Sequence, residues 1–594
     1  MEVEETQLQL LDVVLEGAGL TGFGELLMTA LRARVAKRLY ILQHFILSDR
    51  QCIYFKFCWW DCQVLRSSLS AVSQCVMMAE LQRSLAAVAY LLLWHAAGVF
   101  SLPDPKKREA LIKLETSQQI GGEIVLTDLE KLLDARLYQM KQDEMAKANF
   151  PPAMHFFRAK TLIERSPIFS LLQKMPKGGA LHVHDLAMGD PEWLVKNVTY
   201  RPNCYMCVSD KQSVRFIFSS GQPKSEPHCS SWILLETLRN KVSNVTDLDR
   251  SILANLTLFT DGDPEALYPD QGVVWEKFDL NFMAVMGLLA YAPVFRDYFY
   301  HSLGQFYKDN VMYVEVRALL LQVYELDGTI HDSAWALKTY RDVTKQFIAD
   351  HPDFFGSRFI FIAHRTLDAS VLKGIVQKAM QLQRDFPDLM VGFDLVGRED
   401  NGKPLWYFRD ALSLPAEMGV TLPYFFHAGE TNLEGTDVDL NLLDAILFNT
   451  SRIGHGFALN HHPLARELSR KRGVAVEVCP ISNQVLKLVN DLRNHPAAAL
   501  MFQNHPMVIS SDDPAMFGSS GLSYDFYEAF VGFGGNGSHL GTLKQLAINS
   551  ILYSSLNPEL QNKALDLWKT KWDKFVSENV FQTQNSGKVW GLIS

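Results

Sequence analysis

No apolar run in this 594-residue sequence is long enough to cross a bilayer. The most apolar stretch is SLAAVAYLLLWHAA (84–97), and its unbroken part, Leu85 to Trp94, falls short of the ~20 residues a membrane helix needs. No transmembrane anchor is expected. Basic residues are not in excess either: 57 Lys plus Arg stand against 66 Asp plus Glu, a formal net charge of −9. Without a basic stripe, nucleic acid is not expected as the main partner. Cysteine is sparse, with eight in all, four of them (Cys52, Cys58, Cys62, Cys75) in the first 76 residues. A chain this long can bury a large core without disulfide staples. Repeats and low-complexity segments are missing, and 48 % hydrophobic with 21 % charged residues excludes a disordered, collagenous or coiled-coil protein.

What is present near the N-terminus has the layout of a secretory signal. Arg83 precedes the apolar stretch, and the small residues Ala96, Ala97 and Gly98 follow it. Such a signal belongs at a chain start, and Met77 and Met78 lie just upstream. Residues 77–101 therefore read as signal-like and 1–76 as an extension with no sustained period and no assigned fold. The competing reading is a buried helix in a cytosolic N-terminal domain.

Cys204 and Cys207 form a CxxC with no second pair to complete a structural zinc site. A disulfide from one of the two to Cys229 suits an oxidising compartment. Glycosylation sequons begin at Asn197, Asn244, Asn255, Asn449 and Asn536, three of them close to those cysteines.

Residues 104–148 carry helical signals. Thr127 and Glu130 make a capping box, and Leu129, Leu132, Leu133, Leu137 and Met140 follow at helical spacing. Pro151-Pro152 stops the pattern. This region, 102–175, packs either on a partner subunit or on its own barrel. From residue 176 onward, eight short apolar runs alternate with helical stretches: ALHVH, MYVEVRA, FIFIAH, LMVGFDLV, LPYFFHAG, RIGHG, VAVEVCP and MVISSDD. Strands that lack strict alternation are buried on both faces. Eight strand-then-helix units predict an α/β fold, a (β/α)8 barrel. The long gap after the first strand predicts an inserted subdomain near 197–256.

Polar residues fall at the strand ends, where barrels carry their chemistry. His182 and His184 share one face of the first strand. His427 and Glu430 end the fifth, His455 the sixth, Asp512-Asp513 the eighth and His364 the third. An HxH alone is weak evidence for a metal. Joined by His427 and Asp512, it becomes a donor set suited to zinc. Glu430, beside such a centre, is placed for general acid or base work. Two adjacent carboxylates repel unless a cation or proton stabilises them.

The motifs MPKGGALHVHD, FFHAGET, RIGHG, EVCPISN and SSDDPAMFG resemble those of the adenosine/AMP deaminase branch of the amidohydrolase superfamily. The helical arm, MHFFRAK, NVTYRP, FDLVGRED and PMVISSDDPAMFG are similar to the secreted adenosine deaminase-related growth factors. The likeness runs from about residue 102 to the C-terminus. It implies one zinc per subunit on His182, His184, His427 and Asp512, and hydrolysis of adenosine and 2′-deoxyadenosine to the inosines and ammonia. Glu430 would donate a proton to N1 of the base. His455 would orient the attacking water and help deprotonate it. Asp513 would be the acceptor on the N7 side and also contact the attacking oxygen, and the Gly397 N–H would meet N3. Asp185, His364 and the segment Trp275, Glu276, Lys277, Phe278, Asp279, Leu280, Asn281, Phe282 would line the ribose or pocket side. By the same resemblance Cys207 is bridged to Cys229, the arm forms a homodimer, and the insert binds a cell-surface receptor or glycosaminoglycan. Secretion follows, with an acidic vesicle as a second compartment. Two other readings are a hydrolase of another purine such as AMP, and a non-enzymatic receptor ligand. Against the first, Arg398 is the only basic residue beside the motifs. Against the second, all four zinc ligands are present.

Overall fold

The computed structural model describes residues 104–209 and 213–581. The leader segments 1–76 and 77–101 lie outside the described residues. Eight parallel strands make the centre: β1 (Gly178–His184), β2 (Val311–Ala318), β3 (Gly356–His364), β4 (Met390–Val396), β5 (His427–Ala428), β6 (Arg452–His455), β7 (Ala475–Val478) and β8 (Met507–Ile509). β1 to β4 pair in chain order, and so do β5 to β8. Both seams between these halves are stitched by single parallel bridges, Phe393 with Tyr424 and Val183 with Asp512. At the first seam Phe393 N–H donates to Pro423 O and Phe425 N–H to Phe393 O; at the second His184 N–H donates to Asp512 O and Asp512 N–H to His182 O. The ring is therefore closed, as the eight apolar runs predict. The fifth run is the least regular, with only His427 and Ala428 in the ladder. Pro423 lacks the N–H a longer ladder needs. All residues of β1 and β2 are buried, which explains their missing alternation.

Four helices of the described residues precede the barrel, the first two being α1 (Pro105–Ser117) and α2 (Asp128–Met145). The expected capping box forms: Thr127 Oγ1 accepts the Glu130 N–H and Glu130 Oε2 accepts the Thr127 N–H. Leu133 and Leu137 are buried, while Leu129 and Leu132 are exposed. The helix α3 (Gln271–Leu289) runs over the strand ends, and α4 (Leu540–Leu552) and α5 (Pro558–Phe581) close the chain. Glu130 fastens α2 to these last two through Lys544 Nζ (2.6 Å) and Trp572 Nε1 (2.7 Å). The arm thus packs on its own barrel through α2, whereas no residue of α1 is buried and Leu111 is 66 % exposed.

Between β1 and α3 lies a small antiparallel sheet of Cys204–Val208, Val214–Phe218 and Ile233–Leu234, with the first in the middle. Cys207 is bonded to Cys229, and Cys204 is free and buried. Tyr205, Cys207, Cys229 and Trp232 form a separate small core. The sheet touches α3 closely at Gly287, where a Cβ would lie 2.4 Å from the Phe216 carbonyl oxygen. Among the described residues, no helix is long and apolar enough to cross a membrane.

Candidate metal centre and substrate cavity

The barrel geometry brings the strand-end residues together. His182 Nε2 lies 3.1 Å from His427 Nε2 and 3.1 Å from Asp512 Oδ1. His184 Nε2 lies 3.2 Å from the same Asp512 oxygen. His455 Nε2 is 3.8 Å from Asp512 Oδ2. Donor atoms of His182, His427, His455 and Asp512 lie within 4.8 Å of one another, and so do those of His184, Asp512 and Asp513. All of these side chains are buried. His455 and Asp512 hold left-handed φ angles of 60° and 58°. Such strain in a non-glycine residue costs of order 1–3 kcal/mol and concentrates at functional sites.

The donor set fits a cation. His182 Nδ1 is 2.7 Å from Glu477 Oε2, and His427 Nδ1 is 2.6 Å from Asp394 Oδ2. Ionised carboxylates only accept, so each Nδ1 carries the proton and each Nε2 a lone pair. Two lone pairs then face each other, beside an Asp512 Oδ1 that is buried with no hydrogen-bond donor. Burial disfavours charge on His182, yet Asp512 and Glu477 outweigh it and raise its proton affinity. A positive charge is wanted at this point. Burial pushes His427 down to about 3, and Asp394 only partly offsets it. For Asp512, burial works upward but the imidazoles of His455, His182 and His184 hold it well below the carboxylate range.

A layer of buried charge supports the ligands from below. Arg317 Nε meets Asp394 at 2.8 Å, and its Nη2 meets Glu477 at 2.6 Å. Arg452 Nε meets Glu477 at 2.6 Å, and its Nη2 meets Glu315 at 2.7 Å. Two guanidinium groups against three carboxylates leave one negative charge; Asp512 makes two. A divalent ion would balance them, which is how buried charge is tolerated. Sequence reasoning missed these five residues. Their signal was charge inside apolar strands: Glu315 and Arg317 in MYVEVRA, Asp394 in GFDLV, Glu477 in VAVEV and Arg452 opening RIGHG.

A cavity of about 310 Å³ opens beside the centre. From the strand ends, Asp185, His364, Gly397 and Asp513 line it, with Glu430 and His455. From α3, Trp275, Phe278, Asp279 and Phe282 line it, at the spacing of one helical face. Glu276, Lys277, Leu280 and Asn281 fall on the other faces of α3 and do not reach the cavity. Met283 and Met286 continue the lining face, which the contiguous segment expected from sequence did not include. Among the described residues, no Lys or Arg lines the cavity. Burial, reinforced by the charges of Asp512 and Glu399, pushes Glu430 well above the carboxylate range. Burial and Asp512 do the same to Asp513, whose Oδ1 has no partner. Burial lifts Asp185 to about 7. Gly397 has φ +98°, and a Cβ there would meet His364 Nε2 at 2.4 Å, so only glycine lets the chain turn here.

Residues 103–172 match the family described as Adenosine/AMP deaminase N-terminal, and residues 261–571 match Adenosine deaminase. The chain is similar to "Adenosine deaminase 2-A" of Danio rerio, 60 % identical over 491 residues, covering 83 % of this chain and 97 % of that relative. It is 51 % identical over 498 residues to "Adenosine deaminase 2" of Homo sapiens, covering 83 % and 97 %. It is 40 % identical over 476 residues to "Adenosine deaminase" of Aedes albopictus, covering 79 % and 87 %. With its closed barrel and its His/Asp centre, this chain belongs to the adenosine deaminase family of enzymes, in the adenosine deaminase 2 branch.

Proposed function

We propose that the chain hydrolyses adenosine and 2′-deoxyadenosine to inosine and deoxyinosine, releasing ammonia, with zinc held by His182, His184, His427 and Asp512. The observation that carries this reading is the meeting of unprotonated imidazole nitrogens and an undonated carboxylate oxygen beside a cavity that no Lys or Arg lines among the described residues. Zinc at such a centre supplies Lewis-acid charge that lowers the pKa of a bound water from 15.7 to about 7.

The chain's own groups then divide the work. Glu430, kept protonated by burial and by nearby negative charge, donates to N1 and makes C6 more electrophilic. Asp513, likewise protonated, can donate to N7, which is only an acceptor. The Gly397 N–H is offered to N3. His455 orients the attacking oxygen, and Asp185 faces the ribose. Trp275, Phe278 and Phe282 form an apolar wall that displaces water from the base. Addition of water at C6 and loss of the amino group as ammonia balances the reaction.

Among the described residues a 5′-phosphate finds no cationic partner lining the cavity, which counts against nucleotides as substrates. Ammonia release and zinc content measured on the purified protein with adenosine, 2′-deoxyadenosine and AMP test the assignment. AMP turnover equal to that of adenosine would overturn it.

Secretion is the proposed route. The Cys207–Cys229 bond suits an oxidising compartment, and the sequon residues Asn197, Asn244 and Asn449 are exposed, with Asn255 half-buried. A shift in mass on enzymatic deglycosylation of protein recovered from medium checks this. For the homodimer, the exposed Leu111, Leu114 and Val125 around α1 supply an apolar surface. Light scattering reads the mass. A receptor or glycosaminoglycan partner, and any growth-factor role, would fall to the disulfide-bearing insert. Cell binding by wild type but not by a chain lacking 197–256 tests it.

A further inference from the structure

His455 is held from behind by three hydrogen bonds that start at a backbone amide. The Ala497 N–H donates to His495 Nδ1 at 3.1 Å. A backbone N–H can only donate, so His495 Nδ1 carries the lone pair and the ring proton sits on Nε2. That Nε2 lies 3.0 Å from Asn483 Oδ1, which can only accept. Asn483 Nδ2, which can only donate, faces His455 Nδ1 at 3.2 Å. His455 Nδ1 is therefore an acceptor, and its own proton is left on Nε2, towards Asp512 and the metal centre. Glu430 Oε1 is 3.6 Å from His455 Nδ1, too far for a hydrogen bond.

Turning the Asn483 amide over would break this order. Its Nδ2–H would need a lone pair on His495 Nε2, which puts the His495 proton on Nδ1 against the Ala497 N–H. Two donors would then face each other at 3.1 Å. Water does not relax the clash, because Asn483 is 0 % and His495 2 % exposed. The His495 ring also lies against Phe533 (5.1 Å) and Phe457 (5.4 Å). A buried donor left unpaired in this way bears its full desolvation cost. Burial holds His495 down at about 3, so it stays neutral.

We infer that Asn483 and His495 are positioning residues that lock His455 in its Nε2–H tautomer, so that His455 offers the reaction an N–H and not a lone pair. Two consequences follow, both resting on the function proposed above. His455 lies as close to the centre as the ligands do, yet an N–H cannot coordinate a metal; this selects His184 over His455 as the third imidazole ligand. In the reaction, His455 donates to a lone pair of the attacking oxygen and fixes its direction.

The experiment compares substitutions that a structural role and a tautomer role rank in opposite orders. Asn483→Asp is nearly isosteric but replaces the donor to His455 Nδ1 with an acceptor, which turns the tautomer over. It should lower kcat about 10²-fold, the range seen when one preorganised donor is lost, with KM little changed and a smaller loss for Asn483→Ala. At position 495, Asn copies the Nδ1 acceptor for Ala497 but lacks the Nε2–H, while Gln can supply an N–H to Asn483. His495→Gln should keep more kcat than His495→Asn. Nitrogen NMR of histidine-labelled zinc-loaded protein, with His455 assigned by its loss in His455→Gln, should show the proton on Nε2 in wild type and on Nδ1 in Asn483→Asp. A His455 protonated on Nδ1 in wild type overturns the inference, as does Asn483→Asp retaining more activity than Asn483→Ala. The NMR result does not depend on which substrate is turned over, so failure of the adenosine assignment is seen separately in the wild-type assay.

Discussion

The carboxylate of Glu399 accepts the backbone N–H of Glu430 at 2.7 Å. It also takes the Gly429 N–H at 3.3 Å and the Asn441 Nδ2–H at 2.6 Å, so one buried side chain fixes the loop that carries the proposed proton donor. Glu399→Ala strands those donors, each worth about 1–3 kcal/mol when left unmade. kcat should fall between tenfold and a thousandfold while zinc content holds. Steady-state kinetics with metal analysis would show it, and unchanged kcat would remove Glu399 from the site.

Glu430→Gln keeps size and burial but loses the acidic proton. Activity should drop by ~10²–10⁴, the usual contribution of a general acid, with the thermal midpoint nearly unmoved because the wild-type carboxyl is already neutral. A turnover equal to wild type would mean N1 gains its proton elsewhere.

Removing the metal ion should cost stability as well as activity. Without it, the excess negative charge around Asp512, Asp394 and Glu477 is uncompensated. An ion held at 1,000 times its Kd adds about 4 kcal/mol. Chelation should lower the melting temperature, and stoichiometric zinc should restore both temperature and turnover. A chelated protein that melts at the same temperature would argue against a resident ion.

Acid should weaken the fold through buried histidines. Burial lowers His155 and His505 to about 4, against ~6.5 in the unfolded chain. Their folded affinity for protons is depressed, so the unfolded state binds more protons below pH 6.5. The stability they contribute is complete above 6.5 and lost as pH falls towards 4, at about 1.4 kcal/mol per pH unit for each. His155 Nδ1 accepts the Phe157 N–H at a helix start, and Asn can copy that acceptor without titrating. Urea unfolding between pH 7 and 5 should show a shallower slope in His155→Asn than in wild type.

Much of this was legible in the residues. All eight strands lie where apolar runs were read, because strands buried on both faces leave an unmistakable mark. The convergence of His182, His184, His427 and Asp512 followed from their positions at strand ends. What stayed hidden depended on direction. Asn483 and His495 show their part only when donors and acceptors are placed. The segment 275–282 read as one block, yet a helix turns half of it away from the cavity. Spacing alone left Cys204 and Cys207 both open as partners of Cys229; the resemblance chose Cys207, and the structure pairs that residue with Cys229.

The contact at Gly287 ties two parts of the molecule that sequence separates. One side of α3 rests on the strand Val214–Phe218 at Gly287, and the adjoining face of the same helix lines the cavity. Whatever loosens or grips the cysteine-bridged sheet would thereby bear on the hydrophobic surface proposed to receive the nucleoside. Affinity for substrate, more than the speed of the chemical step, is the property that such a pull would change.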